Sequence, residues 1–226
     1  MTPNSLDHVA LWVAERDRLA SFLCQHLGMH EIERTDAFTL LGVDAKLGKL
    51  TLFAAEGPRD AGVLELVVLR VRDLDAAASR LSSEAGARRE DGTVLLEAPE
   101  GLRLALVEVP ESVDYDLDHV VLRVPDPDAS ATALAELGFE RRGGTLAVAD
   151  RELRLAPGGR PEGERPLLNH LAVLVDSAEA WRAEAERRGA EIADFVDAPN
   201  TLAAFVWGPD RIKLEYVEHK PGFSLT

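Results

Sequence analysis

The sequence predicts an α+β fold of four βαβββ modules, paired into two half-barrel domains with the helices outside. Three observations carry this expectation. A Val/Leu-rich octapeptide recurs four times, each copy precedes a helical pattern closed by Gly, and short strand-like runs follow each helix.

The recurring stretches are Leu6–Val13, Leu64–Val71, Leu117–Val124 and Leu168–Val175, with starts spaced 58, 53 and 51 residues apart. A fixed period of this kind marks an internal repeat, and it governs every local assignment that follows. Val and Leu in such density suit a strand buried on at least one face.

In the first unit, Leu19, Phe22, Leu23 and Leu27 recur at helical spacing. In the second, Asp73 is placed to cap a helix through Leu74, Ala78 and Leu81; in the third, Asp126-Pro127-Asp128 is a helix-start signal. In the fourth, Asp176-Ser177 precedes Trp181, Ala185 and Arg188. Gly28, Gly86, Gly138 and Gly189 follow the four helices, where a left-handed residue closes the last turn. The last unit then reads as strands over Glu191–Phe195, Thr201–Trp207 and Arg211–Glu218, with Gly208-Pro209-Asp210 as a turn.

One such module cannot cover its own sheet, whereas two form a curved sheet around a cup. The polar, Pro-bearing segment from Pro110 to Asp116 sets the expected boundary: an N-terminal domain over residues 1–109 and a C-terminal domain over 117–226.

The chain carries 40 Asp and Glu against 25 Lys and Arg, a formal charge of -15. Nucleic acid and anionic membrane surfaces are therefore not expected partners, since both need a basic face. One cysteine, Cys24, excludes an internal disulfide framework. No leader-like N-terminus and no apolar run of spanning length are read, so a cytoplasmic location is expected.

Three of the four repeats have His at their third position: His8, His119 and His170. Period-two alternation directs each toward the cup. On the last strand the apolar set Ile212, Leu214 and Tyr216 suits packing under a helix, which leaves Lys213, Glu215 and Val217 facing the cup. A Glu in mid-strand on a concave face wants a cation. Thr51, Ala105 and Arg154 stand where Glu215 stands in the other units, and Leu66 stands where the His would be in the second. Within the expected domains, the second offers His119, His170 and Glu215 together, and the first offers only His8, read as a relic of the repeat. Two imidazoles and a carboxylate make a facial triad with open positions, suited to Fe(II) first and Mn(II) next.

The repeats and the triad together resemble the vicinal oxygen chelate superfamily, and their layout resembles the type I extradiol dioxygenases. The resemblance covers nearly the whole chain at the level of fold. It implies a metal held by His119, His170 and Glu215, with Phe205-Val-Trp-Gly-Pro-Asp-Arg-Ile-Lys-Leu-Glu215 preserving the shape of the family's C-terminal signature. It also exposes departures. Phe205 stands where these enzymes carry a Tyr, and no His occurs between His119 and His170 or between His170 and Glu215. The catalytic acid–base residue is therefore left unassigned.

The resulting expectation is a metal-dependent, extradiol-dioxygenase-like enzyme that chelates a small substrate through adjacent oxygens. Phe205, Trp207, Lys213 and Asn200 are the candidate substrate contacts. A glyoxalase-like isomerase or epimerase is the nearest alternative, although such relatives use an added Glu or Gln ligand. A metal-free small-molecule (drug) binding protein, its cup lined by Trp12, Phe53, Phe205 and Trp207, is the other. His219 is expected to be exposed, and a homodimer through exposed sheet edges is a further expectation.

Overall fold

The computed structural model describes residues 1–42, 49–81, 86–160 and 163–223. All four modules have the expected βαβββ order. The first comprises β1 (Ser5–Val13), α1 (Arg16–Leu27), β2 (His30–Arg34), β3 (Phe38–Gly42) and β4 (Lys49–Ala54). The second comprises β5 (Leu64–Val71), α2 (Leu74–Arg80), β6 (Arg88–Glu90), β7 (Thr93–Glu97) and β8 (Arg103–Glu108). The third comprises β9 (Tyr115–Val124), α3 (Pro127–Glu136), β10 (Glu140–Arg142), β11 (Thr145–Val148) and β12 (Arg151–Pro157). The fourth comprises β13 (Leu168–Leu174), α4 (Ala178–Arg187), β14 (Ile192–Asp197), β15 (Thr201–Trp207) and β16 (Lys213–His219).

The helix starts follow the predicted chemistry. The side chains of Asp73, Asp126 and Ser177 each accept a hydrogen bond from a backbone N–H in the first turn of α2, α3 and α4. Gly28 closes α1 in the left-handed conformation. Gly138, at φ +101°, follows α3 where no side chain fits, because a Cβ there would lie 2.3 Å from the Trp181 ring of α4. The expected turn at 208–210 is a short 3-10 turn over Pro209–Arg211, which starts β16 at Lys213 rather than Arg211.

The pairing of the modules differs from expectation. One eight-stranded sheet runs β14-β15-β16-β13-β1-β4-β3-β2, and the other runs β10-β11-β12-β9-β5-β8-β7-β6. The first module therefore shares a sheet with the fourth, and the second with the third. The boundary placed at Pro110–Asp116 falls inside the second sheet, where it leads from β8 to β9 across β5.

The chain crosses between sheets twice, after β4 through residues 55–63 and after β12 with 158–160 and 163–167 as its described parts, and the crossings are tied together. Asp60 donates its backbone N–H to Arg165 O and accepts from Leu167 N at 2.7 Å. Two anchored crossings hold the terminal modules against each other, an arrangement unavailable to modules paired in sequence order. Within the fourth module Trp181 of α4 stacks on Tyr216 at 4.5 Å, and this module meets the third where the Tyr216 hydroxyl donates to Leu137 O, just after α3, at 2.7 Å. Tyr216 thus faces the helices, as alternation along β16 requires.

Candidate metal centre

At the middle of the first sheet, β1 and β13 run antiparallel with His8 opposite Ala172 and Ala10 opposite His170. β16 lies parallel to β13, with Glu215 beside Ala172. This register brings three side chains to one point. His8 Nε2 lies 3.1 Å from His170 Nε2 and 3.2 Å from Glu215 Oε2, and His170 Nε2 lies 2.8 Å from Glu215 Oε2. Among the described residues, His8, His170 and Glu215 form the group able to hold a metal ion.

His119 is not part of it. It stands on β9 in the other sheet, beside Glu152 of β12 and opposite Val68 of β5. Its Nδ1 lies 2.5 Å from Asp118 Oδ1, and Asp118 in turn binds Arg70. The expected grouping is corrected accordingly: beside His170 and Glu215, His8, read from sequence as a relic, takes the place given to His119. The cause is the pairing of the modules, because the first and third repeats both begin Leu-Asp-His. The equivalent positions around His119 are Leu66, Ala105 and Arg154, none of which is an anionic ligand.

Each imidazole is fixed from behind. Asp7 Oδ2 lies 2.8 Å from His8 Nδ1, and Asn169 Oδ1 lies 3.1 Å from His170 Nδ1. Both acceptors place the Nδ1 proton on the far side and aim Nε2 into the cup, as hydrogen-bonded metal-binding histidines do. Asp7 is itself buried against Lys49 Nζ at 2.8 Å and His219 Nε2 at 3.1 Å. His219, expected to be exposed, is instead drawn in against Asp7 and stacked on Phe223 at 3.8 Å.

The electrostatics match the crowding. Burial pushes the Glu215 carboxyl up, but His170 and His8 outweigh it and hold its pKa at about 2. Burial pushes the His8 imidazolium down, yet Glu215 and Asp7 prevail and raise its pKa to about 9. His170 is lowered by burial, which Glu215 only partly offsets. Three ligand atoms bonded at about 2.1 Å on one face of an octahedron lie about 3.0 Å apart. The observed separations of 2.8–3.2 Å bracket that value. The donor set and its spacing therefore fit a divalent ion.

The expected substrate contacts divide. Phe205 stands opposite Glu215, its ring edge-on to His170 at 5.2 Å. Trp207 pairs with Lys213, whose Nζ lies 5.3 Å from the indole centre. Both aromatics and Lys213 share the cup face with the triad. Asn200 does not: it sits in the turn before β15, its carbonyl accepting from Lys220 N, at the end of the sheet where Thr201 meets His219. From the first module, Phe53 reaches within 6.0 Å of the His170 ring, with Trp12 and Phe38 packed on it at 5.5 and 5.7 Å. Thr51 lies beside Ala10 on β4, as Glu215 lies beside Ala172 on β16. The pseudo-symmetric partner of Glu215 is therefore neutral.

Comparison with known proteins places this geometry. Residues 5–93 match the family model Glyoxalase/Bleomycin resistance protein/Dioxygenase superfamily, which bears out the resemblance read from the repeats. No curated protein matches the sequence. Among solved structures, a "putative dioxygenase" from Bacillus subtilis subsp. subtilis str. 168 superposes with a TM-score of 0.79 at 19% identity, covering 98% of this chain and 87% of that one. Glyoxalase I from Zea mays superposes with a TM-score of 0.72 at 20% identity, over 95% and 92% of the two chains. The cppA protein from Streptococcus pneumoniae TIGR4 reaches 0.64 at 16% identity, over 96% and 98%. At these identities the likeness is one of fold. No helix among the described residues is long and apolar enough to cross a membrane.

Proposed function

We propose that the chain is a metal-dependent enzyme of extradiol-dioxygenase-like type, with one divalent ion, Fe(II) first and Mn(II) next, held by His8, His170 and Glu215. The observation that carries this reading is the convergence of two Nε2 atoms and one Oε2 within 3.2 Å of one another. The bound ion would supply Lewis acidity and, as Fe(II), a site for O₂ chemistry.

The chain's own residues do the rest. Asp7 and Asn169 hold the imidazoles in the tautomer that ligates. Phe53 and Phe205 flank His170 and exclude water from the substrate's side of the site. Neutral Thr51, in the place of a second carboxylate, leaves room for a substrate that chelates through two adjacent oxygens. A glyoxalase-like isomerase reading is disfavoured by that same threonine, since such relatives use an added Glu or Gln ligand.

The test is metal content by plasma emission on protein purified without a histidine tag, for the native chain and for His170→Ala, followed by O₂ uptake with catechols. About one iron or manganese per chain, lost in the variant, is expected. No stoichiometric metal after anaerobic Fe(II) loading would overturn the reading and favour the apolar-cup binding protein.

A further inference from the structure

Among the described residues, Lys213 near the triad and Arg59 over Trp12 make no ion pair, and the carboxylates that act on Lys213, those of Asp194 and Glu215, do so from beyond ion-pair distance. Acidic side chains outnumber basic ones 40 to 25, and most of the described arginines lie against a carboxylate. Lys213 makes no ion pair among the described residues, although it is half-buried on the cup face two positions from Glu215. That spacing sets its Cα about 7 Å from that of the metal ligand. Its ammonium lies against Trp207. The neighbouring acid on β14, Asp194, stands opposite Phe205 in an exposed position and outside ion-pair distance of Lys213.

Arg59 is the second cation. Its guanidinium covers Trp12 at 5.8 Å, and its Nε is buried with no hydrogen-bond partner among the described residues. A buried polar atom left unsatisfied in a folded protein calls for an explanation. Trp12 lies two positions beyond Ala10, the residue opposite His170, and packs on Phe53, whose ring nears that histidine, so Arg59 sits over the same run of aromatics. A point charge on one side and a planar donor fork on the other suit a carboxylate. The rings of Phe53 and Phe205 lie 6.0 and 5.2 Å from that of His170, and Trp207 lies against Lys213.

We infer that Lys213, assisted by Arg59, selects substrates that carry a carboxylate on an aromatic body whose two adjacent oxygens meet the metal. This rests on the metal-enzyme reading above and adds the substrate's charge to it. The two cations are binding and specificity residues, and neither takes part in bond making.

The test is calorimetric titration of the Zn(II)-loaded protein, in which no turnover occurs, with catechol and with 3,4-dihydroxybenzoate. The expected result is at least about tenfold tighter binding of the carboxylate. That ratio should fall to between about one and three in Lys213→Met and return in Lys213→Arg, with melting curves confirming that each variant is folded. Equal affinities in the native protein, or a ratio that survives Lys213→Met combined with Arg59→Met, would overturn the inference. Failure of the metal reading shows separately, as no Zn(II) uptake. The comparison then passes to benzoate and benzyl alcohol on the metal-free protein. A benzoate preference lost in Lys213→Met supports the carboxylate recognition alone, and its absence overturns that as well.

Discussion

His8→Ala and His119→Ala separate the two possible metal sites, because each removes one histidine of a Leu-Asp-His repeat and only one of them touches His170 and Glu215. A metal that binds only the folded chain stabilises it by about 2.7 kcal/mol when present at a hundred times its dissociation constant. For a chain of this size, each kcal/mol raises the melting temperature by about 2–4 °C, so the expected shift is about 5–11 °C. The native protein and His119→Ala should both show it on addition of Mn(II) under a melting scan. In His8→Ala the triad loses a corner whose Nε2 lies within 3.2 Å of both other donors, and the shift should vanish. His119→Ala should still melt lower than native without metal, because Asp118 loses its imidazole partner and, among the described residues, keeps Arg70 alone. A shift abolished by His119→Ala and retained by His8→Ala would refute the pairing argument and return the site to the second sheet.

Three further outcomes follow from the same geometry. Thr51→Glu restores a carboxylate at the pseudo-symmetric position, and should tighten Mn(II) binding while weakening catechol binding to the loaded protein, as read by calorimetry. Gly138→Ala places a Cβ 2.3 Å from the Trp181 ring at φ +101°, and should cost about 1–3 kcal/mol or more, read as a lower urea midpoint. Burial raises the Asp118 carboxyl, but His119 and Arg70 prevail and hold it below 3.8. Its contribution is therefore present above the unfolded value and lost as pH falls through the folded one. Asp118→Asn should show a shallower loss of stability than native between about pH 5 and 3 in urea titrations.

The four modules were legible because the evidence for them is local. Alternation, caps at Asp73, Asp126 and Ser177, and Gly28 after α1 each involve residues a few positions apart. Ungapped alignment of the last strands was also sound: Thr51, Ala105, Arg154 and Glu215 all stand beside the fifth residue of their octapeptide, at Ala10, Val68, Val121 and Ala172. Which modules share a sheet was not local. It depends on two crossings held by Asp60 against Arg165 and Leu167, contacts separated by more than a hundred residues. His170 and Glu215 were found because both lie in one module, and His8 was missed because its partners are 162 or more residues away.

A signal for the pairing was nevertheless present in the side chains. Trp12 is the only aromatic at the seventh octapeptide position, where the other units carry Arg70, Arg123 and Leu174. Phe53, two residues beyond Thr51, has Val107, Ala156 and Val217 as its counterparts. With Phe205 and Trp207, the cup-facing aromatics belong to the first and fourth modules alone. An apolar lining gains only if its members enclose the same space, so their confinement to two modules argues that those two share a cup. The second sheet makes the complementary case. Arg70, in the place of Trp12, binds Asp118 and Glu111, and Arg151 binds Asp116 and Asp150. A site filled by its own ion pairs has no open charge to offer a metal. The two pairs of modules thus differ by side chain rather than by backbone, one gathering the imidazoles and carboxylate proposed to hold a cation and the other neutralising the equivalent space from within.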